Sequence, residues 1–346
     1  MKRPELRLHG ARLRENIDAV RERIAPSALM IVMKDDAYGH GLTWAVENAE
    51  RAGVEWYGSY DVRGGVEIRR VLERPARIFA WATSTDEEVD QALEQGIDLG
   101  VGTREYLQRV IARAAASGRR ARVHLKIDTG LHRNGMLPGE WREAVDVVRT
   151  AERAGHVEFA GVWSHLAEAS DAEDDEAQEV FLTAVREASA TGDEPEALHL
   201  TASAASWWRP ELRGSVSRIG AFCYGIRSAD GPELDGLVPV AELTAYVQSV
   251  EGDAAVIGIG SFDGLPSTLA GATVGTPAGT RVLRTVGPVS SVVEAWPGAQ
   301  EGDLVHVFGG GEHGESSATA LAERIDTVGE EILTRLTSRA RRVVVD

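Results

Sequence analysis

Eight short β-rich apolar runs punctuate residues 28–220: Leu29–Lys34, Trp56–Tyr60, Arg77–Ala82, Ile97–Val101, Arg122–Asp128, Phe159–His165, Leu198–Ser203 and Ser215–Gly220. The stretches between them carry helical spacing. Tyr106, Leu107, Val110, Ile111 and Ala114 recur along one face of Arg104–Ser117, and Trp141, Ala144, Val145, Val148 and Ala151 along one face of Trp141–Ala154. Eight such alternations within ~190 residues predict a closed (β/α)8 TIM barrel rather than an open sheet. After about Leu237 helical periodicity stops, glycine becomes frequent and Val/Thr-rich runs appear at Ala241–Val250, Ala254–Ile259, Thr280–Thr285, Val289–Val293, Asp303–Phe308 and Arg341–Val345. A smaller, mostly antiparallel β domain is expected there. The expected chain is therefore α/β, with a barrel over 1–236 and a β domain over 237–346. Gly309–Gly314 reads as a loop and Ala318–Ile325 as a short helix.

Composition excludes several classes. The 37 basic and 54 acidic residues leave a net charge of −17, which disfavours nucleic acid as a partner. No run approaches the ~18 uninterrupted apolar residues of a membrane helix. The N-terminus lacks the apolar core and cleavage site of a signal peptide, so a cytoplasmic protein is expected. One cysteine, Cys223, rules out an internal disulfide and a multi-thiolate zinc site, and no metal is expected. His306 and His313 stand seven apart with no cysteine beside them, and the Gly-rich GIGSFDG and FGGGEHG segments lack the spacing and context of nucleotide loops.

Lys34, in IVMKDDAYGHG, closes an apolar strand. An ammonium is costly to bury, and on a barrel this position is the end where active sites form. A desolvated lysine of lowered pKa suits Schiff-base chemistry with an aldehyde. Taken alone, Lys34 also fits a side chain that snorkels to the surface. The segment K-x-[DN]-A-Y-G-H-G from Lys34 to Gly41 resembles the cofactor-lysine signature of the alanine racemase family. Further along, VHLKIDTGLHRNG (123–135), GVWSHLAEA (161–169), HLTASAAS (199–206) and RIGAFCYG (218–225) resemble that family's later motifs, in the same order. They fall at the predicted ends of the first, fifth, sixth, seventh and eighth barrel strands.

The resemblance implies a pyridoxal 5'-phosphate enzyme acting on a small amino acid, built as a homodimer with shared active sites. It implies that Lys34 holds the cofactor and works as the base on one face of Cα. Tyr38, Ser203, Tyr224 and the backbone N–H groups of Gly220 and Ala221 would hold the phosphate, donors suited to an anion. Arg218 would face the pyridine nitrogen and, unable to give up its proton, leave that nitrogen unprotonated. His165 would brace the ring and Arg218. Lys126 matches a lysine often carbamylated in the family, able in that form to orient Arg133 toward the cofactor oxygen or the substrate carboxylate. Without the motifs, Ser203 reads equally as a helix N-cap and His165 as a core histidine.

Three departures fall in the C-terminal domain. The family's second catalytic base is a tyrosine in a G-Y-A-D-G segment. Here the stretch is GIGSFDGLP (258–266), with Ser261 in its place. Ser291 and Val292 occupy a substrate-contacting segment, and Val344 replaces a phosphate-binding tyrosine. A serine hydroxyl is a poor general base at neutral pH. Asp263 and His132 are the nearest ionisable replacements. A racemase with a different second base is therefore expected. A lyase, aldolase or decarboxylase-type enzyme using Lys34 alone is an alternative, as is a non-catalytic pyridoxal-phosphate carrier.

Overall fold

A computed structural model describes residues 2–346. The chain divides into two compact units. One comprises Val20–Lys34 and Ala49–Gly220. The other comprises Ala221–Asp346, Asp35–Asn48 and the N-terminal segment through Ala19. The N-terminal strand β1 (Glu5–Leu8) belongs to the second unit.

The first unit is a (β/α)8 barrel. Its strands are β2 (Ala28–Val32), β3 (Trp56–Ser59), β4 (Arg77–Ala80), β5 (Asp98–Val101), β6 (Ala121–Lys126), β7 (Val157–Trp163), β8 (Ala197–His199) and β9 (Val216–Ile219). Each pairs in parallel with the next in the order β2 to β8, and β9 returns beside β2. The ring closes where Arg218 N–H donates to the Thr201 carbonyl at 3.2 Å and Leu198 N–H to Ser215 Oγ at 2.9 Å. Helices follow from local signals. Thr85, with Glu88 three residues on, forms a capping box for Asp86–Gln95, and Gly96 ends that helix in the left-handed region at φ 62°.

The barrel interior is aromatic. Met30, Phe79, Trp163, Ala197 and Val216 form its packed centre, with Trp56 and Trp81 against it. Phe79 meets Trp163 edge-on at 5.3 Å between centroids, and a Cβ at Gly100 would press into both rings. Only glycine fits there. Along β6, Arg122, His124 and Lys126 alternate onto one face. A bulge between Val123 and His124 on the β6–β7 ladder re-aims that face.

The second unit holds the other eight-stranded sheet. It contains β1, β10 (Ala241–Glu251), β11 (Ala254–Ile257), β12 (Thr273–Thr276), β13 (Gly279–Val286), β14 (Ser291–Glu294), β15 (Leu304–Phe308) and β16 (Arg341–Val344). All pairings are antiparallel except β1 with β16. Strand β10 pairs with β1, β15 and β11, and two register shifts along it give the twist that curls the sheet on itself.

Candidate active site

Lys34, Lys126, His165, Ser203, Arg218 and Gly220 all stand at the C-terminal ends of barrel strands, or just beyond. Arg218, on β9, is 4% exposed. Its Nη1 donates to the His199 carbonyl at 2.6 Å, and its Nη2 to the carbonyls of Ser164 at 2.7 Å and Leu200 at 3.1 Å. The same two nitrogens reach ring nitrogens, Nη1 to His199 Nδ1 at 3.1 Å and Nη2 to His165 Nδ1 at 3.2 Å. Burial lowers its pKa against the pull of the Glu168 carboxylate, and Arg133 lowers it further. The guanidinium remains a cation held in one plane by five partners.

His165 lies just past β7. Burial first, then the charges of Arg218, Arg133, Lys126 and Lys34, drive its pKa down to about 3. In a chain of net charge −17, four positive side chains converge on one neutral imidazole. Lys126 caps the inward face of β6, 3% exposed, with Nζ donating to the Asn134 carbonyl at 2.6 Å and standing 4.8 Å from the Trp163 ring centroid. Burial, Arg133 and Arg218 lower its pKa to about 8, against the pull of Asp128.

Ser203 opens the helix Ser203–Trp208, whose N-cap is Ala202. Its Oγ accepts the Gly220 N–H at 3.2 Å. The hydroxyl proton is therefore directed elsewhere. A half-buried primary amine, a hydroxyl donor and a cluster of fixed cations fit an aldehyde that carries a phosphate. The donor set matches pyridoxal phosphate.

His132 follows β6 in the same unit, at φ 52°, with its side chain 77% exposed. Its Nδ1 stands 3.2 Å from Asp128 Oδ2, so a carboxylate orients an accessible imidazole. Arg133 beside it is exposed.

The second unit carries the remaining residues singled out from sequence. Asp35, Asp36, Ala37 and Tyr38, immediately after Lys34, all adopt φ of 54–55°. This is one left-handed turn without glycine, closed by Gly39 N–H donating to the Asp35 carbonyl at 2.9 Å. Each such residue costs roughly 1–2 kcal/mol, so the surroundings must impose the turn. They do so in several places. Tyr38 is 4% exposed and its ring meets Tyr224 at 5.3 Å. Asp36 Oδ1 accepts the Leu42 N–H at 2.7 Å, Arg342 Nε donates to the Gly39 carbonyl at 2.9 Å, and a Cβ at Gly39 would crowd the Leu333 carbonyl. Ala221 and Tyr224 bound a buried 3-10 turn.

Ser261 is exposed, and its N–H donates to the Gly287 carbonyl at 2.9 Å. Asp263 is 1% exposed. Its Oδ2 accepts the Gly260 N–H at 2.8 Å and its Oδ1 accepts from Arg339 Nε at 2.9 Å. That carboxylate is committed to holding the loop. Ser291, 1% exposed, donates from Oγ to the Ile259 carbonyl at 2.7 Å and braces the same loop.

Sequence reasoning passed over Trp163, His199, His124 and Asp98, which surround Arg218 or extend inward from it. For His124 a signal was there, a polar residue at every second position of β6 (Arg122, His124 and Lys126) in a strand otherwise apolar.

The alanine racemase N-terminal domain model matches residues 8–228 and the C-terminal domain model residues 243–344. The chain is 33% identical to the alanine racemase of Thermobifida fusca, over 95% of this chain and 94% of that one. It is 35% identical to that of Beutenbergia cavernae, again over 95% and 94%. Among solved structures, alanine racemase from a D-cycloserine-producing Streptomyces lavendulae superposes with a TM-score of 0.92 at 30% identity, covering 100% of this chain and 98% of that chain. The alanine racemase of Streptomyces coelicolor gives a TM-score of 0.93 at 29% identity, covering 99% and 98%.

Proposed function

The chain belongs to the alanine racemase family, and on that premise we propose that it is a pyridoxal-phosphate-dependent racemase acting at Cα of a small amino acid, with Lys34 as one acid–base group. The observation that carries the reading is Arg218, buried at the barrel mouth with its guanidinium fixed by three carbonyls and two imidazoles. Pyridoxal phosphate, when bound, supplies the electron sink that makes the Cα proton acidic. A partner that can only donate, such as Arg218, would leave the cofactor's ring nitrogen unprotonated, moderating that sink and favouring proton exchange over side reactions.

The protein's own groups supply the rest. Lys34 would hold the aldehyde and move a proton on one face of Cα. The Ser203 hydroxyl would donate to a phosphate oxygen, with its Oγ steadied by the Gly220 N–H that it accepts. Tyr38, Ala221 and Tyr224 are further phosphate-binding proposals, from their place in the motifs. Arg133 attracts the substrate carboxylate, and Lys126, carbamylated, orients Arg133. His165 stays neutral and braces Arg218.

For the second proton, His132 is better suited than Asp263 or Ser261. It is an exposed imidazole oriented by Asp128, whereas the Asp263 carboxylate already serves Arg339 and Gly260. We also infer a cytoplasmic homodimer with the Gly258–Pro266 segment at the shared site. No helix among the described residues is long and apolar enough to cross a membrane. The test is incubation of the cofactor-loaded enzyme with each small amino acid in D2O. Deuterium at Cα with inverted configuration supports the racemase, and a cleaved or decarboxylated product overturns it.

A further inference from the structure

A continuous line of polar side chains runs through the barrel interior behind Arg218. Asp98, His124 and His199 are each 0% exposed. His199 Nδ1 lies 3.1 Å from Arg218 Nη1, His199 Nε2 lies 2.9 Å from His124 Nδ1, and His124 Nε2 lies 3.2 Å from Asp98 Oδ2. Asp98 is anchored in turn by Arg77 Nη2 at 2.7 Å and Arg122 Nε at 2.5 Å.

The direction of every proton in this line follows from its ends. Arg218 can only donate, so His199 Nδ1 accepts. The one proton of His199 is then on Nε2, and His124 Nδ1 accepts it. The proton of His124 sits on Nε2 and points at Asp98, which accepts. Burial, with the Arg218 cation adding to it, holds the His199 pKa well below the usual value, consistent with a neutral ring. Burial alone would raise the Asp98 pKa, but His124, Arg122 and Arg77 outweigh it and leave a carboxylate.

The strands make room for the line. A Cβ on Gly161, opposite His124 across the β6–β7 bulge, would overlap His124 Nδ1. Trp163 stacks on His199 at 5.8 Å with 8° between the planes, and Phe79 meets it edge-on at 5.0 Å, so the ring cannot turn to exchange its nitrogens.

We propose that Asp98 and His124 are positioning residues for catalysis: they fix the proton of His199 on Nε2 and thereby keep His199 Nδ1 free to hold Arg218. This rests on the racemase reading, in which Arg218 faces the reacting group. An opposite His199 tautomer would set an N–H against an N–H and swing the guanidinium out of plane.

The experiment is 1H–15N spectroscopy of ring nitrogens in histidine-labelled protein, with and without added pyridoxal phosphate, beside kinetics. In the unaltered chain His199 and His124 each show a single Nε2–H tautomer. In His124→Phe the His199 Nε2–H has no acceptor, so its Nδ1–H form becomes populated. There kcat falls roughly 10-fold while KM holds, the scale on which orienting partners count. In His124→Asn the amide oxygen stands near the place of Nδ1, so the single His199 tautomer returns with most of kcat. Asp98→Asn keeps the shape, removes the charge and frees His124 to protonate Nδ1. A His199 that stays a pure Nε2–H tautomer in His124→Phe overturns the proposal. So does a folded His124→Asn chain that fails to restore it. The tautomer reading requires no turnover, so it fails or stands apart from the racemase assignment.

Discussion

Arg218 Nη2 donates to His165 Nδ1 across 3.2 Å, and that bond leaves His165 with its one proton on Nε2. With its pKa near 3 against an ordinary 6.5, the folded protein refuses a proton that the unfolded chain accepts. The contribution is fully present above about pH 6.5 and is lost as pH falls toward 3. His40, brought down to about 4 mainly by burial, behaves in the same way. Each withheld proton is worth about 1.4 kcal/mol per pH unit in that window. Urea unfolding at pH 7 and at pH 5 is expected to show a stability loss of a few kcal/mol, and His40→Asn should reduce it. An equal stability at both values would refute the assignment.

Borohydride reduction of the cofactor-loaded protein should leave pyridoxyl mass on the peptide containing Lys34, and Lys34→Ala should leave none. Reduction on Lys126 instead would move the catalytic amine to β6.

Inversion at Cα needs an acid–base group on each face, and the family resemblance reads Ser261 at the place expected to hold the tyrosine of the second face. Losing a positioned general base costs ~10²–10⁴-fold. Alanine inversion is therefore expected to be slow beside Lys34-dependent deuterium exchange, and Ser261→Tyr should raise inversion without changing exchange. His132→Ala should depress whatever inversion the unaltered chain shows. If it does not, proton return passes through another group.

Lys126, with a pKa near 8, becomes mainly neutral as pH rises through that value. A neutral amine takes up carbon dioxide, so 13C-bicarbonate should give a protein-bound carbamate signal larger at pH 8.5 than at pH 6.5. Lys126→Ala should abolish the signal. A signal that survives the substitution belongs to another lysine.

The barrel was legible because its buried strands read as short apolar runs between helical faces. Strand β1 was not: Glu5–Leu8 offers two apolar residues in four, and its partners at Ala241–Thr244 and Arg341–Val344 lie at the far end of the chain. Thr273–Thr276 escaped for a similar reason, with a single valine and an interior glycine. Within the site, Lys34, Arg218 and His165 stand in motif segments, and so do His199 and His124, but Asp98 does not, and the line from His199 to Asp98 stayed hidden because its partners meet only when four strands close. Asp263 drew attention as an ionisable neighbour of Ser261. Its partner Arg339 is 76 residues away, so the sequence alone hid that the carboxylate is engaged.

The left-handed turn at Asp35–Tyr38 also sets an order of events during synthesis. Its own residues prefer the opposite hand, and what imposes it comes from far downstream: the Tyr224 ring, the Leu333 carbonyl and the Arg342 guanidinium. A chain still emerging from the ribosome gains Tyr224 first and completes the set only once Arg342 is made. The segment beside Lys34 is therefore among the last parts of the molecule to take its final form, and a chain ended early would carry the lysine without the turn that follows it.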